Sequence, residues 1–72
     1  MKINFNSVKD IQEFVTIVSR FPDDIDVSSS RSIVDAKSIM GLFSLDLSKP
    51  VEVTTKGKQS DNIYAAISKY AS

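Results

Sequence analysis

The chain contains no cysteine and no histidine. The first absence removes disulfides and thiolate ligands, and makes the cytoplasm the expected compartment. The second removes zinc and copper sites, Ser-His-Asp triads and phosphohistidine chemistry. Charge of one sign is also missing, since nine basic residues balance nine acidic ones. That balance excludes the broad positive field direct nucleic-acid binding uses. No apolar run approaches the ~20 residues that span a bilayer, and the N-terminus lacks the basic-then-apolar pattern of a leader, so no membrane role is expected. The carboxylates are scattered along the chain. Asp23-Asp24-Asp26 lacks the glycine and closing glutamate of a calcium loop and reads as a solvated turn. No metal, no cofactor and no enzymatic activity are expected.

Seventy-two residues make one domain, residues 1–72, which buries about 60% of the surface its unfolded form exposes. Such a core leaves little room for an enclosed catalytic cavity. Ile3 and Phe5 alternate with polar neighbours and predict a first strand. Asn6 or Ser7 caps a helix whose apolar face is Val8, Ile11, Val15 and Val18, with Phe14 and Ile17 beside them. Pro22 ends that helix near Arg20 or Phe21. Ile25 to Ser28 and Ile33 to Asp35 read as a hairpin, and Val51 to Thr55 alternates as a fourth strand. Ser60 or Asp61 caps a last helix, with Ile63, Ala66, Ile67 and Tyr70 on one face. Tyr64 and Tyr70 read as helix packing. The order is βαββαβα. It predicts an α+β open-faced sandwich, a four-stranded antiparallel sheet covered on one face by helices.

A short helix opening at Ser38 stands apart. Ile39, Met40, Leu42, Phe43, Leu45 and Leu47 are too many apolar groups for one stripe. Either some remain exposed as a protein contact, or every one of them is core in so small a domain.

The segment IVDAKSIMGLFSL, Ile33 through Leu45, resembles the region around the regulatory serine of the HPr family, phosphocarrier proteins of the bacterial sugar phosphotransferase system. The βαββαβα order is that family's open-faced sandwich. In Gram-positive members the serine matching Ser38 is phosphorylated by an HPr kinase/phosphorylase. The product is the corepressor of a LacI-type catabolite control protein. The resemblance thus implies phosphorylation at Ser38 and partner binding through Lys37, Ile39, Met40 and Phe43. Alignment through Phe21-Pro22-Asp23-Asp24-Ile25 puts Ser7 where the family carries its acceptor histidine, Lys9 near its arginine and Asp10 near its proline. A serine ester is too stable to hand its phosphoryl group onward, so a histidine relay is excluded. A serine kept and a histidine lost is the pattern of the catabolite-repression branch of the family (Crh). The connection into the first helix is shorter here and lacks glycine, and Phe43 stands where methionine is usual.

Ser7 by itself reads as an N-cap. At Ser38, cap and phosphoacceptor are compatible, because a phosphate at a helix start faces the positive end of the dipole, with Lys37 alongside. Three functions follow from these residues: a regulatory module switched at Ser38, an unmodified HPr-like interaction domain, or a pantetheine carrier. The last fits poorly, since carrier domains are acidic helical bundles with an Asp-Ser-Leu motif and this chain reads Lys-Ser-Ile.

Overall fold

A computed structural model describes all residues, 1–72. Strand β1 is Lys2–Ile3, helix α1 Val8–Val18, β2 Ile25–Ser28, β3 Ile33–Asp35, α2 Ile39–Phe43, β4 Val51–Thr55 and α3 Ser60–Ala66, followed by a 3-10 turn at Ser68–Tyr70. The four strands form one antiparallel sheet in the order β1-β4-β2-β3. This is the predicted α+β open-faced sandwich.

Register decides which face each strand residue takes, because directly opposed residues share a face. Ile3 opposes Val51, Ile25 opposes Thr55, and Val27 opposes both Val53 and Val34. These residues line the helix side. The open side carries Lys2, Glu52, Ser28 and Ile33 in one row and Thr54, Asp26 and Asp35 in the next. Beneath the helices, Ile11, Phe14 and Val18 of α1, Leu42 of α2 and Ile63 of α3 complete a single core with the inward strand residues. Phe14 is fully enclosed and meets Phe5 edge-on at 5.1 Å and Tyr70 at 6.1 Å between ring centroids. Aromatic pairs at these separations are favourable beyond the area they bury.

The elements differ from expectation at their ends. β1 stops at Ile3, and Phe5 turns inward to pack on Phe14 and Tyr70 instead of extending the strand. α1 ends at Val18, short of Arg20, with Ser19 as its C-cap. α3 opens without a side-chain cap, and its helical geometry stops at Ala66. Ala66 is exposed, and Tyr64 packs partly against the core instead. Val8, counted in the apolar face of α1, is 56% exposed. As the first residue of the helix it lies beyond the end of the sheet-facing stripe.

The chain end ties back to the sheet. Asn4 donates its backbone N–H to the Tyr70 carbonyl, Ser72 donates to the Lys2 carbonyl, and Ile3 bridges Ala71. These bonds cover the free edge of β1, a row of backbone groups that would otherwise stand open to pairing.

Candidate functional site

Ser38 sits where β3 turns into α2. Asp35 builds this turn, accepting the Lys37 N–H on its carboxylate at 2.9 Å and the Ser38 N–H on its carbonyl at 3.0 Å. Ser38 has extended backbone, φ −102° and ψ 107°, and its Oγ accepts the Gly41 N–H at 3.1 Å. The expected cap is therefore formed. Ser38 is half-buried as a residue.

α2 divides its apolar residues between core and solvent. Leu42 is buried and Leu45 follows it inward, while Ile39 and Leu47 are half-buried against the core. Met40 is 78% exposed and Phe43 46% exposed. Five helical residues cannot turn so many apolar groups to one side, which is why two remain outside. Of the four large apolar side chains exposed in the protein, Met40, Phe43 and Val8 lie on α2 and α1, two helices that pack against each other; the fourth, Ile33, is on the open side of edge strand β3.

Lys37 also makes a long-range contact. Its Nζ donates to the carbonyl of Phe21 at 2.7 Å, which closes the polar end of the chain leaving α1. The ammonium thus ties the turn before α2 to the chain leaving α1.

Ser7 opens α1, its Oγ accepting the Asp10 N–H at 3.2 Å. Asp10 answers by accepting the Asn6 N–H on Oδ2 at 3.0 Å. The start of this helix is therefore occupied by the chain's own carboxylate. A second anion on Ser7 would meet Asp10 at close range and displace the cap. The serine cap was readable from its place before the apolar run; the bond from Asn6 to Asp10 and the exposure of Val8 were not.

A third polar cluster joins α1 to the chain end. Tyr70 donates its hydroxyl to Glu13 Oε1 at 2.8 Å, and Lys69 Nζ lies 3.0 Å from the same oxygen. The hydrogen bond from Lys69, then that from Tyr70, hold the Glu13 carboxyl below its ordinary range. Burial, followed by the hydrogen bond to Glu13, pushes the Tyr70 phenol well above its own. A surface depression of about 420 Å³ runs along this side and is lined by Lys9, Gln12, Glu13, Thr16, Ile17, Arg20 and Lys69. With one apolar residue among seven it lacks the lining of a small-molecule site. No polar or charged residue is buried, and no group of three or more acidic side chains is arranged to hold a metal.

A small open-faced α+β sandwich with a capped serine opening a short, half-exposed apolar helix defines the class: an HPr-type phosphocarrier scaffold. Consistent with that, the family model described as PTS HPr component phosphorylation site matches residues 8–72. The chain belongs to the HPr family, whose members are phosphocarriers and not enzymes. The HPr of Thermoanaerobacter tengcongensis is 27% identical with a TM-score of 0.82, over 96% of this chain and 83% of that one. The phosphocarrier HPr of Bacillus anthracis is 25% identical with a TM-score of 0.80, over 100% and 92%. Crh, the catabolite repression protein of Bacillus subtilis, described as a swapped, intertwined dimer, is 26% identical with a TM-score of 0.75, over 97% and 82%. No curated protein matches the chain. The family match begins at Val8, one residue after Ser7. No helix is long and apolar enough to cross a membrane.

Proposed function

We propose that the protein is a regulatory, non-phosphocarrier member of the HPr family, phosphorylated on Ser38 and acting in carbon catabolite regulation in the cytoplasm. An HPr kinase/phosphorylase supplies the phosphoryl group. The phosphorylated form then docks as a corepressor on a LacI-type catabolite control protein through Ile39, Met40 and Phe43, with Lys37 holding the turn that presents them. The protein itself touches no DNA. One observation carries this reading: half-buried Ser38 caps the short helix that exposes Met40 and Phe43, in a chain with no histidine for the family's relay. A phosphate there places charge and strong acceptor oxygens beside apolar surface, which a partner with an arginine and an apolar groove reads together. Ser7, at the position matched to the acceptor histidine, serves as a cap.

Incubation with an HPr kinase and ATP, followed by intact-mass measurement, tests the proposal. One phosphate is expected on the wild type and none on Ser38→Ala; an unmodified wild type removes the reading. A second reading, an HPr-like interaction domain that is not phosphorylated at all, draws on the closed Ser7–Asp10 turn, in a connection shorter than the resemblance implies and without its glycine. It predicts partners captured equally by the wild type and by Ser38→Asp.

A further inference from the structure

We infer that Gly41 is the residue that keeps the Ser38 hydroxyl open to phosphorylation, by leaving clear the space beside Oγ that any side chain at this position would enter. This rests on the reading of Ser38 as the phosphoacceptor. Gly41 is the third residue of α2 and, like the other glycine, it has no positive φ. Its conformation is thus open to any residue, and glycine is the weakest helix former after proline. Something other than the backbone explains it.

The explanation lies in close approach from two sides. A Cβ on Gly41 would stand 3.2 Å from the Cβ of Val34, and 3.3 Å from Oγ and 3.4 Å from Cβ of Ser38. Val34 is carried by β3, paired in register against Val27, so it moves only with its strand. The Ser38 backbone is held as well, by its N–H on the Asp35 carbonyl and by the Leu42 N–H on its own carbonyl. Of the atoms gripping that Cβ, only Oγ swings on a free torsion. A side chain at position 41 therefore crowds the side of Oγ next to the Gly41 N–H that orients it, and the hydroxyl has to give by a few tenths of an ångström.

Orientation governs the reaction. In phosphorylation Oγ forms a bond to the γ-phosphorus of ATP, the bond from that phosphorus to the ADP oxygen breaks, and the hydroxyl proton passes to a base on the kinase. Phosphorus has to approach Oγ from the hemisphere away from the serine Cβ, and a Cβ on Gly41 would stand 3.3 Å from that oxygen. Gly41 acts here as a positioning residue.

The test compares initial rates with an HPr kinase and ATP, read by intact mass, for the wild type, Gly41→Ala and Ile63→Val. Ile63 is buried in α3, so its truncation lowers stability without touching the turn. Gly41→Ala is expected to be slowed between about tenfold and 100-fold, the usual effect of misplacing a reacting group, while Ile63→Val keeps the wild-type rate. If Gly41→Ala is unfolded at the assay temperature, all three proteins are assayed in trimethylamine oxide, which favours the folded state. A Gly41→Ala rate equal to wild type, or an Ile63→Val rate lowered just as far, overturns the inference and leaves the Ser38 reading standing. A wild type that takes no phosphate overturns both.

Discussion

Thr55 is a residue at odds with its surroundings. It faces the helix side opposite Ile25, and its Oγ1 is buried with no hydrogen-bond partner. A buried hydroxyl left unpaired costs about 1–3 kcal/mol. Thr55→Val removes the hydroxyl and keeps the shape, so it is expected to stabilise the fold by about 1 kcal/mol. A rise of about 4–8 °C in the thermal midpoint, with an unchanged urea slope, is the measurement. Ser7 behaves in the opposite sense. Ser7→Ala deprives the Asp10 N–H of its acceptor and is expected to cost about 1 kcal/mol in a urea titration, whatever happens at Ser38. Such a loss would mark Ser7 as a structural cap. Its role is readable locally, because donor and acceptor lie three residues apart. The Lys37 bond to Phe21 crosses sixteen residues, and no local pattern announces it.

At the scale of elements, the bond between Tyr70 and Glu13 fastens the 3-10 turn to α1, and its strength depends on pH. The Glu13 carboxyl is held low, so the stability it contributes is present above the ordinary glutamate range and is lost as pH falls through and below that range. Tyr70 is held high, so stability falls as pH climbs above the ordinary tyrosine range, where the unfolded chain has already lost its proton. Tyr70→Phe keeps the ring against Phe5 and Phe14 and removes the hydroxyl. Urea midpoints measured from acid to alkaline pH should then show a shallower acid limb and no tyrosine-linked fall at the alkaline end. A profile unchanged from wild type would contradict the role assigned to this contact. α2 offers a separate prediction. Met40→Gln alters a side chain that is mostly in solvent, so stability should stay within about 0.5 kcal/mol. Affinity of the Ser38-phosphorylated protein for a catabolite control protein, measured by calorimetry, should fall.

Across the whole molecule one core unites every element, and unfolding is expected to be a single cooperative step. Circular dichroism and tyrosine fluorescence should give coincident urea transitions, and a thiol reductant should leave the midpoint where it is, since there is no cysteine. Separate transitions for the two probes would mean that the α1–Tyr70 side melts apart from the sheet.

Element order, the four strands and the caps at Ser7 and Ser38 are legible along the chain, because each depends on neighbours within a turn or a strand, whereas the cap expected at Ser60 or Asp61 does not form. The sequence by itself also determined that no histidine chemistry is possible, which composition alone settles. Tertiary structure decided the rest. Phe5 left the strand pattern because Phe14 and Tyr70, far apart in sequence, form the pocket that receives it. Val8 is exposed at the first position of α1 although its spacing puts it on the apolar face, a matter of where helix and core meet. The division of α2 into buried Leu42 and exposed Met40 and Phe43 follows from which side of a short helix rests on the core. The close approach of Gly41 to Val34 exists only once α2 is laid against β3, and it is at that contact that the fold meets the chemistry of Ser38.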